Sequence, residues 1–183
     1  MNPLDALQRG RQFRTQLQDR RRRLYRMAYS WCLDAVLAED LAQEALTKAY
    51  KGLPQLRCLE AMDAWIFDIL ANCWRDHLRR RRITEDIDDF AESSELSCDG
   101  TEEQAEAIAR VRAAIARLPL GQRQVLSLVD LEGFSYEEAA RILQIPSGTV
   151  TSRIVRAREA LRRALVEYGG EKKPTVIPWR RLR

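Results

Sequence analysis

Long apolar runs are missing from this chain, and no stretch approaches the roughly 20 residues that a membrane span needs. The amino-terminal stretch also lacks a signal-peptide core. Alternating runs of β-branched residues are almost absent, so strands are not expected. Cysteine occurs four times, at Cys32, Cys58, Cys73 and Cys98, irregularly spaced and without a C-x-x-C pair. That pattern argues against a disulfide framework and for a reduced, cytosolic chain. The single histidine, His77, follows Cys73 by four residues, a spacing that can hold one metal on a helix face. No second ligand pair accompanies them, so both are expected as ordinary residues of an apolar arc, with no metal and no cofactor. No Ser/His/Asp or Cys/His nucleophile set is present, which speaks against an enzyme and against a small-molecule substrate. Only eight glycines and six prolines interrupt 183 residues, leaving room for long helices. Hydrophobic residues make up 45%, enough for packed cores.

Charge is strongly sorted along the chain. Residues 1–82 hold 16 Lys/Arg against 10 Asp/Glu, whereas 83–109 hold 10 Asp/Glu and no Lys or Arg. Residues 110–183 return to a basic balance, 15 against 7. Two basic blocks separated by an acidic spacer suggest two modules facing nucleic acid on a tether. The expected architecture is all-α, with two small helical domains joined by an acidic flexible linker. The boundaries read as 1–82 for the first domain, 83–101 for the linker, 102–168 for the second domain and 169–183 for a basic flexible tail.

The first domain reads as three helices. One spans about Arg11 to Cys32, with Phe13, Leu17, Leu24, Met27, Ala28 and Trp31 apolar, and ends at Leu33-Asp34. The next spans Ala35 to Lys51 and stops at Gly52, with Pro54 just beyond. Its buried stripe is Ala38, Leu41, Ala42, Ala45 and Ala49. Asp40, Gln43, Glu44 and Thr47 recur at i, i+3, i+4 and i+7 on the opposite side. A plain solvated face would show the same strip. The third helix is predicted from near Leu59 to Arg82. It carries a polar strip of Asp68, Asn72, Arg75 and Arg79, with Trp65 beside it. Aromatic and amide groups can stack on or bond to unstacked bases while arginines hold the backbone. In the second domain, helices are expected over Glu102–Arg117 and Gln122–Leu131, broken at Leu118–Gly121.

The segment FSYEEAARILQIPSGTVTSRIVRAREALRRAL, from Phe134 to Leu165, has the form of a helix-turn-helix. Ser135 caps the first helix, Gln144-Ile145-Pro146 breaks it, and Ser147 caps the second. At about 100° per residue, Val150, Ile154, Ala157 and Leu161 share one stripe while Thr149, Ser152, Arg153 and Arg156 face away. Such a helix fits the major groove, its arginines available for phosphates or guanine edges. An ordinary αα-hairpin with a solvated arginine face is the competing account of this segment taken alone. A stand-alone helix-turn-helix regulator would need two half-sites, and the chain shows no dimerisation heptad.

AEDLAQEALTKAY closely resembles the core-polymerase-binding helix of bacterial sigma factors. With LPxGQRxV and GTVxSRxxRAR it stands in the order and at the separation found in the extracytoplasmic-function (ECF) group of the sigma-70 family. The resemblance covers about residues 11 to 166. It implies a transcription initiation factor that binds core RNA polymerase and directs it to promoter DNA. Asp40, Gln43 and Glu44 would then contact the clamp helices of the largest polymerase subunit. Trp65, Asn72, Arg75 and Arg79 would serve minus-10 recognition and melting, with the loop from Leu53 to Glu60 as the base pocket. Thr149, Ser152, Arg153, Arg156 and Arg158 would serve the minus-35 element. Ser152 and Arg156 are expected at base edges or the adjoining backbone, and Arg153 and Arg158 at phosphates or in structural pairs. The resemblance also implies an anti-sigma factor, frequently membrane-bound in this group, and a tether threading through the polymerase. The chain departs from the family at Asp68, Cys73-Trp74, Thr151 and Gln144. Where the family often has glycine, Gln144 suggests a slightly different turn.

Overall fold

A computed structural model of the chain describes residues 20–53, 61–84 and 102–168. It divides into two compact units, 1–91 and 92–183. Among the described residues all regular structure is helical. The expected first-helix residues before 20, the loop 54–60, the linker 85–101 and the tail 169–183 lie outside the described residues.

In the first unit, α1 covers 20–32, α2 runs Ala35–Gly52 and α3 runs Met62–Thr84. The α1–α2 junction is made by two residues. Leu33 takes a left-handed backbone (φ +60°) and donates its N–H to Tyr29 O at 2.8 Å, closing α1. Asp34 then caps α2, its Oδ1 accepting from Val36 N at 2.9 Å and Leu37 N at 3.0 Å. The alanine-leucine stripe of α2 is buried throughout, as are Leu24, Met27, Ala28 and Trp31 of α1 and Ile66, Phe67, Leu70 and Cys73 of α3, on which α2 packs. Small alanines let the helices approach closely while the larger residues of α1 and α3 fill the space between. The helix α3 extends two residues past the expected end at Arg82 and begins at Met62 rather than near Leu59. Its first turn is fixed by Asp63, which accepts from Arg20 Nε at 2.5 Å and Arg23 Nη1 at 2.8 Å. His77 is half-buried rather than in the core, its ring stacked on Trp74 at 5.7 Å.

The second unit comprises α4 (Glu102–Ala116), α5 (Leu120–Leu126), α6 (Tyr136–Leu143) and α7 (Ser147–Tyr168). Pro119 stands at the N-cap of α5, so Gly121 lies inside that helix and not in the break, contrary to expectation. Buried Arg123 donates Nη1 to Ala116 O at 2.8 Å, satisfying a carbonyl at the end of α4. The expected continuous helix to Leu131 instead widens into a π turn over Ser127–Leu131. There Ser127 Oγ bonds back to Arg123 O at 2.7 Å, a side-chain competitor that commonly accompanies helix distortion. Gly133, at φ +81°, turns the chain into α6.

The capping box of α6 is complete. Glu138 N donates to Ser135 Oγ at 3.2 Å, and Ser135 N donates to Glu138 Oε2 at 2.9 Å. Gln144 ends α6 in the left-handed region at φ +55°, followed by the Ile145 N to Ala140 O bond at 3.0 Å. The turn is therefore the one glycine would make, adopted by glutamine. Val150, Ile154, Ala157 and Leu161 of α7 are buried against Ala139, Ile142 and Leu143 of α6 and Val125, Leu126 and Leu128. Truncating a fully buried residue such as Ile154 to alanine is expected to cost about 2–5 kcal/mol.

Candidate functional site

The polar strip of α2 is solvent-facing. Asp40 is exposed and has no ion-pair partner among the described residues. Gln43 donates Nε2 to Glu39 Oε1 at 3.0 Å, and Glu39 also pairs with Arg21 of α1. Hydrogen bonds from Arg21 and then Gln43 hold the Glu39 carboxyl below the usual glutamate range. Glu44 pairs with Lys48 at 2.8 Å. Three acidic groups therefore differ in kind: Glu39 and Glu44 are partnered within the unit, and Asp40 is open. Val36 and Tyr50 flank the strip at 74% and 48% exposure, an apolar residue toward each end. Their spacing with Asp40, Gln43 and Thr47 puts all five on one face, a signal present in the sequence but not used in reading it.

On α3, Asn72 Oδ1 accepts from Arg75 Nη2 at 2.5 Å, while Arg79 is exposed and pairs with Asp76 at 3.1 Å. Trp65 lies over Gly52, where an added Cβ would approach its ring to 3.1 Å. The indole of α3 thus uses the room that glycine leaves on α2, and a side chain there would push it back by a few tenths of an ångström. A shallow cleft of about 380 Å³ forms there, lined by Lys48, Lys51 and Gly52 from α2 and Trp65, Ile69 and Asn72 from α3. The structure brings Trp65 and Asn72 to one cleft and joins Arg75 to it through Asn72. Arg79 is not among the lining residues. The two lysines were not singled out from the sequence, because contact between α2 and α3 is needed to set them beside Trp65. An indole, an amide and two ammonium groups at one opening can stack on a base, hydrogen-bond its edge and neutralise a phosphate.

On α7, Ser152 and Arg156 are exposed, and Thr149 is half-buried. Ser152 Oγ donates to Thr149 O at 3.1 Å and keeps its acceptor lone pairs. Val155, at 60% exposure, stands beside them. Arg158 makes a two-pronged bond to Asp130, Nε at 3.1 Å and Nη2 at 2.6 Å. That bond holds the guanidinium above its ordinary pKa. Arg153 is half-buried, its guanidinium lying against Gly121 of α5. The five residues thus divide into an outward group and two arginines held by the unit's own framework.

Two family models match the chain: Sigma-70 region 2 over residues 17–83 and Sigma-70 region 4 over 108–161. The RNA polymerase sigma-H factor of Pseudomonas aeruginosa is 41% identical over 144 residues, covering 72% of this chain and 75% of that protein. The ECF RNA polymerase sigma factor EcfG of Rhodopseudomonas palustris is 39% identical over 135 residues, covering 73% and 74%. Among solved structures, the sigma factor RpoE in complex with the anti-sigma factor NepR from Bartonella quintana superposes with a TM-score of 0.72 at 29% identity. It covers 84% of this chain and 96% of that one. CnrH in complex with the cytosolic domain of CnrY gives a TM-score of 0.59 at 26% identity, covering 87% and 90%.

Proposed function

Because the chain belongs to the extracytoplasmic-function group of the sigma-70 family, we propose that it docks on core RNA polymerase through α2, opens promoter DNA at the α2–α3 cleft and reads the minus-35 element with α7. As an ECF-type sigma factor it is an initiation factor and not an enzyme. Residues 1–82 form the polymerase-binding and minus-10 domain, 83–101 the linker, 102–168 the minus-35 domain and 169–183 a basic tail. Asp40, Gln43 and Glu44 meet the clamp helices of the largest subunit, where an open carboxylate suits a cation on a partner helix. Trp65 and Asn72 receive a base displaced from the minus-10 duplex, with Arg75 orienting Asn72 and Arg79 on the backbone. Ser152 and Arg156 read base edges, Thr149 and Arg153 attend the flanking backbone, and Arg158 serves in its structural pair with Asp130. The two solved relatives were captured with an anti-sigma factor and a partner's cytosolic domain, and a similar anti-sigma partner, membrane-anchored in part of this group, would cover the polymerase-binding surfaces here. The site of action is the cytoplasm; no helix among the described residues is long and apolar enough to cross a membrane.

The observation that carries this reading is the cleft, which combines an indole, an amide and two ammonium groups in one unit. Single-round transcription with reconstituted holoenzyme tests it. Trp65→Ala with Asn72→Ala should reduce strand opening, read by permanganate reactivity of thymines, while closed promoter binding persists. Opening at the parental rate would overturn the assignment of the cleft.

A further inference from the structure

Gly121 sits inside α5, where the backbone is helical and asks nothing special of glycine. A glycine there is less favourable than alanine on propensity alone. What its bare α-carbon supplies is room for Arg153 of α7. A Cβ at 121 would stand 2.9 Å from Nη1, 3.0 Å from Cζ and 3.3 Å from Nε of that arginine. Three atoms of the planar group lie at nearly the same distance, so the guanidinium rests along the glycine and does not merely touch it end-on. Arg153 has neither an ion pair nor a hydrogen bond among the described residues. It is thus a half-buried cation held by packing, next to exposed Ser152 on the reading helix.

We infer that Gly121 is a positioning residue for promoter binding, its missing side chain holding the Arg153 guanidinium ready for a DNA phosphate. The inference rests on the reading of α7 as the minus-35 helix and of Arg153 as a backbone contact. A long arginine side chain loses rotamer freedom when it grips a phosphate, and a guanidinium already held against α5 has lost that freedom before DNA arrives. A methyl group at 121 displaces the guanidinium while leaving the helix intact, because the far end of a flexible side chain yields more readily than the backbone.

The test uses holoenzyme on duplex promoter DNA across a salt series. Each phosphate contact contributes about −0.9 to the slope of log affinity against log salt. Gly121→Ala should make the slope shallower by about one unit, as should Arg153→Ala, and the double variant should add nothing further. Affinity should fall together for cognate and altered minus-35 sequences, and the thermal midpoint of Gly121→Ala should be equal to or above the parent's. A merely structural glycine would lower that midpoint and leave the slope alone. A parental slope in Gly121→Ala, with a shallower one in Arg153→Ala, overturns the positioning role and leaves the reading of α7 standing. A parental slope in Arg153→Ala removes the phosphate contact on which the inference depends.

Discussion

Gln144 holds a left-handed backbone at φ +55° that costs an L-residue with a side chain about 1–2 kcal/mol relative to the right-handed helix. Its side chain is exposed, so little is lost by removing it. Gln144→Gly should therefore stabilise the chain by about 0.5–1 kcal/mol, after the greater unfolded-state freedom of glycine is subtracted. A lowered thermal midpoint would instead assign the glutamine a stabilising contact. The arginines of α7 separate at the same scale. Arg156, exposed and facing outward, should cost about 1–3 kcal/mol of discrimination at one minus-35 position when replaced by alanine. Arg158 is engaged with Asp130, and Arg158→Ala should lower stability by up to about 1 kcal/mol, the range of exposed ion pairs. A promoter-variant panel checks both, and Arg158→Ala altering preference at a single base would contradict the division. The sequence already sets Arg156 apart from Arg153 and Arg158, which it leaves open between phosphate contacts and structural pairs. Only the tertiary neighbours, Asp130 for Arg158 and Gly121 for Arg153, tell those two apart.

Between elements, Asp63 ties α3 to α1 and makes their packing pH-dependent. Burial alone would raise its carboxyl, but hydrogen bonds from Arg23 and Arg20 outweigh that and hold it below the ordinary aspartate range. A lowered folded-state value means the contribution is fully present above the unfolded value of about 3.9 and is lost as pH falls through the folded one. Asp63→Asn should flatten the loss of stability below about pH 5, measured by denaturant unfolding across pH. Equal pH profiles for parent and variant would rule the clamp out as a source of acid sensitivity. On α2, the internal Glu44–Lys48 pair leaves Asp40 as the open carboxylate. Asp40→Ala should weaken co-purification with core polymerase more than Glu44→Ala does, with helical content preserved in both. The reverse order would mean the Glu44–Lys48 pair opens on docking. Helix identity was legible because alanine-leucine periodicity and capping residues are local, and the α2 stripe emerged residue for residue. The π turn, the helical place of Gly121 and the left-handed Leu33 were not legible. Each depends on a packing or back-bonding choice that local pattern does not encode. The α2–α3 cleft was half legible: Trp65 and Asn72 stood out on their own helix, whereas Lys48 and Lys51 belong to it only through tertiary contact.

At the scale of the whole molecule, the charge segregation is the feature that the helices do not explain. Residues 83–109 carry ten acidic groups and no Lys or Arg between two basic blocks. Family resemblance implies that the tether threads through the polymerase toward the active-site cleft and RNA exit path, where nucleic acid would otherwise run. A dense line of carboxylates in a positively charged channel would act there as a stand-in for that polyanion. Charge that merely keeps a tether extended and soluble would give the same composition, so the two accounts must be separated by function. Replacing Glu85, Asp86, Asp88 and Asp89 by Ser should change early RNA synthesis and promoter escape, with duplex promoter binding less affected. The readout is the ratio of abortive to full-length transcripts from reconstituted holoenzyme. If a neutral Gly/Ser segment of equal length gives the parental ratio, the carboxylates serve only as a spacer and mimicry of the polyanion is wrong.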